Sequence, residues 1–408
     1  MRTLLSINNY HYRRGGAETV FLEQNRLFAE IGWKIVPFAM RHEKNDPSEW
    51  DRYFVDEIEF GQQYSLLQKA VRAQKITYSF EARRKIAQLI DAAKPSIAHA
   101  HNVYHHLSPS FFGVLKSNGI PTVMTLHDLK LACPAYKMLN KDGICERCKN
   151  GAIWNVVRQR CVKDSTVLSA VIMVESGVHR ALGLYAKGVD RFVVPSRFYL
   201  EKMVEWGWPR ERFTHIPNFV DVEHLQPRGA PGDAFVFMGR LGPEKGLATF
   251  VKAVAQAGVK GWIVGSGPEE QNLRALAAQT RADVEFLGYR NGEALFDVLR
   301  AARAMVLPSE WYENAPMSVM ESYALERPVI GAAIGGIPEL IRQDETGALF
   351  RSGNVDELAA QLRRFADMPA ANIERMGRAG RRWMEQDFTA TDYRQRLLDL
   401  YREMGVAA

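Results

Sequence analysis

Short apolar segments alternate with longer amphipathic segments along this chain of 408 residues, and the pattern occurs twice. Parallel strands need crossover helices between them, so the alternation predicts βαβ units rather than an all-helical or all-β fold. The chain is also longer than one compact core usually holds. The predicted fold class is therefore α/β, with two Rossmann-like domains facing each other across a cleft. The predicted strands are residues 3–8, 34–40, 96–102, 121–128 and 191–196, then 234–240, 260–267, 284–289, 304–309 and 327–332.

A stretch rich in turn residues, HIPNFVDVEHLQPRGAPGD, lies between the two series of strands. It predicts a hinge between Pro195 and Pro231. The predicted domains are an N-terminal one over residues 1–200 and a C-terminal one over residues 201–378. The stretch RAGRRWMEQDFTATDYRQRLLDLYREM predicts a final helical segment over residues 379–408.

Composition is ordinary for a globular protein, with 47% hydrophobic and 25% charged residues. The most apolar run, Ser165–Val174, has about half of the roughly 20 residues that a membrane span needs, and we expect it in the buried core. No secretory signal is evident, so the cytoplasm is the expected location. A net charge of +6 suits an anionic ligand or an acidic membrane surface. No aromatic-interleaved basic motif supports nucleic-acid binding.

Two glutamates stand eight positions apart in LPSEWYENAPMSVMESYA, around an Asn-Ala-Pro break. Pro316 suits a first helical turn, so a helix is expected over residues 317–324, with unpaired N–H groups that form a seat for phosphate. Glu313, at the edge of this phosphate-binding site, and Glu321, within the helix, would then bind two ends of one ligand. The alternative is a pair of surface acids, which the helix dipole favours. The predicted lining residues are Asn314, Ala315, Pro316, Met317 and Ser318.

Cations and glycines follow other predicted strands. FMGRLGPEKG places Arg240 and Lys245 five residues apart on a loop, where they would clamp a diphosphate. In YRRGGAETV, Gly15 and Gly16 directly precede a predicted helix and form a second loop that a phosphate can approach. Taken alone, the first stretch is equally compatible with a solvated turn, and a plain turn is the better interpretation of the Gly-Gly pair. VGSGPE lacks the full G-x-G-x-x-G pattern, which argues against a dehydrogenase.

In their order along the chain, these stretches resemble the retaining glycosyltransferases of the GT-B fold, the large E-x7-E family known as family 4. The resemblance covers nearly the whole chain and rests on RRGGAE, TLHD, VPSRF, IPNFVD, MGRLGPEKG, VGSGPE, LPSEWYENAPMSVMESYA and GGIPELI. It implies sugar transfer, with retention of configuration, from a nucleoside-diphosphate sugar to a polysaccharide or lipid-linked cell-envelope acceptor. It also implies an acceptor-binding N-terminal domain, a donor-binding C-terminal domain and a final helix that crosses back to the first domain.

The resemblance assigns roles to single residues. Glu313 would lie beside the donor sugar, and Glu321 would bind the ribose of the nucleotide. Arg240 and Lys245 match the pair that binds the diphosphate, and Gly16 matches the loop that closes over phosphate. Fixed cations of this kind stabilise a leaving diphosphate, so no catalytic metal is expected.

His127 in TLHD matches the active-site histidine of the family, which would hold the donor sugar for attack on the leaving-group face. A structural role is the alternative for a single histidine at a strand end. The sequence departs from the family at Phe219, where glycine is common, and at Trp311 and Tyr312, which would narrow the sugar pocket. A noncatalytic sugar- or nucleotide-binding scaffold on the same fold is the alternative function.

All four cysteines fall within residues 131–164, a predicted insertion that directly follows His127. Their spacing, C-x11-C-x2-C-x12-C, favours a structural zinc site over disulfides in a cytosolic protein, with free thiols as the alternative. Such a site would shape the acceptor side of the cleft. The neighbouring histidines of HAHNVYHH would either line that side or serve in packing. The predicted zinc ligands are Cys133, Cys145, Cys148 and Cys161, and the histidines are His101, His105 and His106.

A basic amphipathic stretch occupies residues 66–90. It would rest on anionic lipid at the inner face of a membrane, as suits a lipid-linked acceptor, or it forms an ordinary solvated helix face. Its cations are Lys69, Arg72, Lys75, Arg83, Arg84 and Lys85.

Overall fold

A computed structural model describes residues 2–57 and 66–407 of the protein, with residues 66–70 described by their backbone alone. The described residues divide into two compact units. The first comprises Met1–Asn140, Cys145–Ile216 and Tyr393–Ala408, and the second comprises Lys141–Ile144 and Pro217–Asp392. The break after Ile216 falls inside the segment predicted as a hinge. The domain boundaries predicted from the sequence, at residues 200 and 378, stay predictions.

A parallel sheet forms the centre of the first unit. Its strands are β1 (Thr3–Ile7), β2 (Lys34–Phe38), β3 (Ile97–Ala100), β4 (Thr122–Thr125), β5 (Arg191–Val194) and β6 (Phe213–His215), and their spatial order is β2-β1-β3-β4-β5-β6. Every residue of β1 is buried, as expected for a strand covered on both faces. The helices of this unit include α1 (Gly16–Glu30), α2 (Leu66–Thr77), α3 (Phe80–Ala93), α4 (Phe112–Ser117), α5 (Asn155–Arg158), α6 (Thr166–Leu182), α7 (Leu184–Gly188) and α8 (Arg197–Glu205).

The second unit has the same architecture. Its parallel sheet contains β7 (Phe235–Met238), β8 (Gly261–Val264), β9 (Val284–Gly288), β10 (Ala304–Leu307), β11 (Val329–Ala332) and β12 (Gly347–Phe350), in the order β9-β8-β7-β10-β11-β12. The helices include α9 (Leu247–Ala257), α10 (Glu270–Thr280), α11 (Gly292–Ala301), α12 (Met317–Ala324), α13 (Val355–Asp367) and α14 (Ala370–Asp387). A pair of two-residue strands, Leu139–Asn140 and Gly143–Ile144, stands apart from both large sheets.

The predicted α/β class with two Rossmann-like units is confirmed, and all ten predicted strands are present. The sequence pattern does not predict the edge strands β6 and β12. The expectation that Ser165–Val174 lies in the core is wrong. This run lies in α6, where Val167 is 73% exposed and Val174 55% exposed. A helix turns its side chains to all sides, so one packed face cannot bury ten consecutive residues.

Strand order reverses at one place in each sheet, between β1 and β3 and between β7 and β10. In parallel sheets the loops at such a point leave on opposite faces and open a crevice that binds ligands. His101 follows β3, while Arg240 and Glu313 follow β7 and β10. Topology therefore brings the predicted site residues of each unit to the carboxyl edge of its own sheet.

A final helix, α15 (Ala390–Glu403), lies mostly within the first unit. The Tyr401 hydroxyl is 2.6 Å from His99 Nδ1 on β3, and Tyr393 donates to Gln24 Oε1 on α1 at 2.8 Å. Gln24 Nε2 is itself 3.2 Å from His99 Nδ1. These four side chains are buried, so hydrogen bonds attach α15 to the middle of the first unit. Among the described helices, none is both long and apolar enough to cross a membrane.

Removing the Tyr401 hydroxyl should weaken this attachment. We expect Tyr401→Phe to lower the free energy of unfolding by about 1 kcal/mol, because a buried hydrogen bond is lost while Gln24 still contacts His99. Urea unfolding of the full chain measures the change. Arg402→Gln, on the exposed side of α15, is the control and should change stability by less than about 0.5 kcal/mol. Equal stability of both variants would contradict the attachment.

Candidate functional site

Glycines let the loops at the carboxyl edge of the second sheet pack backbone against backbone. Gly265, after β8, has a φ of 139°, and a Cβ there would overlap the carbonyl oxygen of Gly239 after β7. Gly246 has a φ of 65°, and a Cβ there would overlap the carbonyl oxygen of Pro308 after β10. Any larger residue would separate the loops. The backbone that carries Arg240, Lys245 and Glu313 is therefore held in place by its neighbouring loops.

Glu313 is buried at the centre of this edge. Lys245 Nζ lies 2.7 Å from Glu313 Oε1, and Ser309 Oγ donates to the same oxygen at 2.7 Å. The Gly336 N–H donates to the Glu313 carbonyl at 2.8 Å. Burial alone would raise the pKa of Glu313, but the charge and hydrogen bond of Lys245, with the Ser309 bond, lower it. Glu313 is thus an ionised carboxylate at neutral pH, positioned on both its side chain and its backbone.

Both predicted cations reach this edge. Arg240 forms an ion pair with the buried carboxylate of Glu244, while 53% of its side chain stays exposed. Lys245 Nζ also lies 5.1 Å from the centre of the Trp311 ring, a cation–π arrangement. Its ammonium has three donors and contributes one of them to Glu313. Both cations are held by acids and keep donors that a ligand can use.

The helix α12 begins at Met317, as predicted, but Pro316 is its N-cap and not part of the first turn, because its ψ of 118° is not helical. Pro316 has no side-chain group that caps this end, and the first turn contains no acid. Asn218 Nδ2 donates to the Ala315 carbonyl at 3.0 Å and positions the segment before the helix. Glu321 is half-buried in the second turn. No acid in the first turn neutralises the positive end of α12, which suits an anion site.

Three histidines form a column in the first unit, with His99 and His101 buried and His127 half-buried. The rings of His99 and His101 stack at 4.9 Å between centres, and those of His101 and His127 at 5.1 Å. His101 Nδ1 is 2.9 Å from His127 Nε2. Burial lowers the pKa of His99 to about 3 and that of His127 to about 4, so both rings are neutral at pH 7. The sequence prediction omitted His99, although its i, i+2 spacing from His101, which directly follows β3, directs both side chains to the same side.

Charged groups lie under the loop that follows His127. Glu175, fully buried on α6, is 2.9 Å from Lys130 Nζ and 3.1 Å from His105 Nδ1. Burial alone would raise the pKa of Glu175, but Lys130 and His105 lower it to about 2. Burial raises the pKa of Asp128 to about 6, although it accepts the Lys130 N–H at 2.9 Å. The sequence contains no local signal for Glu175, because its partners are more than 40 residues away.

The predicted phosphate loop of the first unit has an acid of its own. Gly15 is the N-cap of α1 in an extended conformation that other residues also adopt. Glu18 in the first turn is buried, which raises its pKa, while the backbone groups of Gly15 and Glu18 lower it by hydrogen bonding. A carboxylate here competes with an incoming phosphate for the helix end. The phosphate role predicted for Gly15 and Gly16 stays a prediction.

Known families match both halves of the chain. Residues 14–224 match the family described as Glycosyltransferase Family 4, and residues 228–383 match the one described as Glycosyl transferases group 1. The first match alone covers more than half of the chain. The chain belongs to glycosyltransferase family 4.

One relative of the chain is the GDP-mannose-dependent monoacylated alpha-(1-6)-phosphatidylinositol monomannoside mannosyltransferase of Corynebacterium glutamicum. It is 27% identical over 250 residues, which are 55% of this chain and 65% of the relative. The chain spans less than two thirds of the length of this and two other curated relatives that it matches.

Two solved structures share the fold. Sucrose-phosphate synthase from Thermosynechococcus elongatus superposes with a TM-score of 0.72 at 19% identity, over 100% of both chains. The Anabaena protein HepE in complex with UDP-glucose superposes with a TM-score of 0.68 at 15% identity, over 99% of this chain and 100% of that one. These likenesses confirm the predicted GT-B fold.

The zinc prediction is not supported. Cys133 and Cys148 are buried, Cys145 and Cys161 are half-buried, and all four are free thiols. Burial and the other cysteines raise the pKa of Cys148 to about 12 and that of Cys161 to about 11. Across residues 2–57 and 66–407, no group of three or more His, Cys, Asp or Glu has an arrangement that could hold a metal ion. Sequence spacing gathers these cysteines in one segment, but it does not direct four sulfurs to one point.

The basic stretch is interrupted and partly neutralised. It forms two helices, α2 and α3, rather than one surface helix. Glu81 pairs with Lys75 at 2.7 Å and lies 3.5 Å from Lys85, and Arg83 donates to a backbone carbonyl at 2.9 Å. The side chain of Lys69 lies outside the described residues. Internal pairing leaves less charge for lipid, and peripheral membrane contact stays a prediction.

The Lys245–Glu313 pair should behave as a buried ion pair. We expect Lys245→Met and Glu313→Gln each to lower the free energy of unfolding by about 3 kcal/mol, because each leaves a buried charge unpaired. The double variant should be less destabilised than the sum of the two, and a double-mutant cycle in urea measures the coupling. The exposed pair Arg274–Glu270 is the control, with a coupling of about 0.5 kcal/mol. Simple additivity at Lys245 and Glu313 would contradict the pairing.

Stability should fall with acid through the buried histidines. The pKa values of His99 and His127, about 3 and about 4 in the folded protein, lie below their ordinary 6.5. Their stabilising contribution is therefore present above pH 6.5 and is lost as the pH falls towards 4. Between pH 7 and pH 5, each of these two histidines should lower the free energy of unfolding by about 2 kcal/mol. The raised pKa of Asp128 acts in the opposite direction and should restore about 1 kcal/mol.

Urea unfolding at several pH values tests this dependence. The variant His127→Gln should lose about 2 kcal/mol less than the parent between pH 7 and 5. His224→Gln, whose side chain is 80% exposed in the second unit, should change the dependence far less. Parallel curves for the parent and His127→Gln would show that His127 titrates normally.

Proposed function

We propose that the protein is a retaining glycosyltransferase that moves a sugar from a nucleoside-diphosphate sugar to a polysaccharide or lipid-linked cell-envelope acceptor. The observation that carries this proposal is the Lys245–Glu313 pair. It stands beside Arg240 and the start of α12, at the switch point of the second sheet. This edge presents cations and helix N–H groups to a diphosphate and carboxylates to sugar hydroxyls. Membership of family 4 supports it.

Each residue has a role in donor binding. Arg240, Lys245 and the N–H groups of the first turn of α12 bind the diphosphate, and Asn314, Ala315 and Pro316 shape the segment that leads into that turn. Glu321 accepts hydrogen bonds from the ribose, and Glu313 accepts them from the donor sugar. Trp311, beside Lys245, borders the sugar end of the site. The Anabaena protein HepE, which shares the fold, was solved in complex with UDP-glucose, and this supports a donor of the same class.

The chemistry follows from charge placement. As the bond from the anomeric carbon to the diphosphate oxygen breaks, negative charge grows on the leaving group. Arg240, Lys245 and the helix end are already oriented there, so they stabilise that charge without rearrangement. The acceptor oxygen bonds to the anomeric carbon on the same face, and its proton passes to the leaving diphosphate. Attack on this face retains the anomeric configuration.

His127 belongs to the first unit, the proposed acceptor-binding part. Its imidazole is neutral at pH 7 and can donate or accept a hydrogen bond without adding charge. We assign it to holding a hydroxyl of the donor sugar, with His101 orienting the ring. The acceptor class rests on the relatives, since the Corynebacterium relative is named for a phosphatidylinositol mannoside. A location in the cytoplasm, at the inner face of the membrane, suits such an acceptor.

A ligand screen with two site variants tests the proposal. One of UDP, GDP, ADP or their sugars should raise the melting temperature of the purified protein, because a ligand that binds the folded state stabilises it. Glu321→Ala should weaken nucleotide affinity about tenfold to hundredfold, through lost hydrogen bonds to the ribose. His127→Ala should lower turnover and leave nucleotide affinity nearly unchanged.

The exposed Glu285 on β9 provides the control, because Glu285→Ala removes a carboxylate of the second unit away from the site. It should bind nucleotide as the parent does. Nucleotide binding with no transfer and no hydrolysis of any sugar nucleotide would favour the noncatalytic scaffold. Unchanged affinity in Glu321→Ala together with unchanged turnover in His127→Ala would remove these site assignments.

A further inference from the structure

A cavity lies in the first unit. Its volume is about 150 Å³, and residues of α6, α7 and the loop after β4 line it. The cavity is large enough for a small ligand group and not only for a single water. Its polar lining consists of Lys130, Ser176, His179, Arg180 and Tyr185.

Two hydroxyls in the lining have no hydrogen-bond partner among the described residues. They are Ser176 Oγ and Tyr185 Oη, and both atoms are buried. Both residues are only 7% exposed. Buried polar atoms in native proteins are almost always hydrogen-bonded, so two such atoms beside one cavity indicate a ligand that completes them.

The charge of the lining favours an anion. Lys130 Nζ donates to Glu175 Oε2 at 2.9 Å and to the Pro134 carbonyl at 2.8 Å, so its charge is balanced and one donor remains. Arg180 donates to the Ala132 carbonyl at 2.9 Å and forms no ion pair with any described residue. Its guanidinium is therefore a cation in the cavity lining without an acidic partner among the described residues, with several donors left.

The remaining walls show how a larger ligand would fit. Trp208 supplies a half-buried aromatic wall. His179 Nε2 is 2.8 Å from the Thr77 carbonyl, so this nitrogen carries the proton and Nδ1 of the neutral ring is an acceptor. The cavity thus offers four kinds of donor, one acceptor and an apolar wall. This set matches an oxyanion attached to a hydroxyl-bearing ring or chain.

We infer that this cavity binds an oxyanion group of the acceptor, a phosphate ester or a carboxylate, through Arg180, Lys130, Ser176 and Tyr185. The inference rests on the proposed function, because Lys130 stands three residues after His127 on the same loop. A lipid-linked acceptor carries phosphate, and an acidic polysaccharide carries carboxylate. In either case the anchor would hold the acceptor by a group remote from the reacting hydroxyl.

Titration of the full-length protein with small probes tests the inference. Inorganic phosphate, glucuronate and glucose are compared by calorimetry, in parent and variants. We expect saturable binding of phosphate or glucuronate and none of glucose, which has the ring of glucuronate without its charge. Tighter binding of phosphate than of glucuronate would indicate a phosphate-bearing acceptor. Tighter binding of glucuronate would indicate an acidic saccharide.

Variants locate the binding. Tyr185→Phe keeps the ring and removes only the unpartnered hydroxyl, so it should weaken anion binding severalfold without lowering the melting temperature of the free protein. Arg180→Gln should weaken it at least tenfold. Arg375→Gln, an exposed change on α14, is the control and should bind as the parent does. If Tyr185→Phe folds poorly, Ser176→Ala is used in its place, and it should likewise weaken anion binding severalfold without lowering the melting temperature.

Three results would overturn the inference. One is the absence of saturable binding by both anions. Another is equal binding by Arg180→Gln and the parent, which would place the anion elsewhere, including at the diphosphate site. The third is equal binding of glucose. UDP binding, measured on the same samples, should be unchanged in Arg180→Gln and Tyr185→Phe, so failure of the cavity is distinguishable from failure of the proposed donor site.

Discussion

A parallel strand cannot lead directly into its neighbour, and this constraint organises the protein. The chain must cross over after every strand, so the carboxyl ends of all six strands in a sheet meet at one edge. The loops there need not form regular structure, and they can carry function. In the second unit these loops pack so closely that Gly246 and Gly265 leave no space for a Cβ. The scaffold thus sets the backbone of the site before any ligand arrives.

Charge burial is the second constraint, and each unit solves it by pairing. Three ion pairs share one feature, which is a buried carboxylate paired with a cation that is less buried or keeps unused donors. They are Glu313 with Lys245, Glu244 with Arg240, and Glu175 with Lys130. Leaving either member of such a pair alone would be strongly unfavourable. A diphosphate at the edge of the second unit would share Lys245 with Glu313 rather than meet a free ammonium. The pair thereby fixes the orientation of the Lys245 ammonium at the site.

The histidine column shows the opposite solution, which is to bury groups that stay neutral. Desolvation keeps His99 and His127 uncharged at pH 7, and hydrogen bonds to Tyr401 and Thr125 set the tautomer of His99. Two donors, Gln24 and Tyr401, approach Nδ1 of His99, so its proton lies on Nε2, towards Thr125. The column links α15 to His127 through stacked rings. A side chain close to the proposed chemistry is therefore positioned by the last helix of the chain.

Local patterns along the chain predict the α/β class, ten of the strands, the start of α12 and the family, because periodicity and ordered motifs can be read without knowing how distant segments pack. The sequence also placed Arg240, Lys245 and Glu313 after strands, from which their meeting at one edge follows. Tertiary structure alone decided that Glu175 lies under Lys130, that His99 joins His101 and His127, and that α6 exposes apolar residues. It also decided that the cysteines form no metal-binding group within the described chain. The physical reason is distance along the chain: contacts between residues tens or hundreds apart depend on how whole elements pack, and no local pattern records that packing.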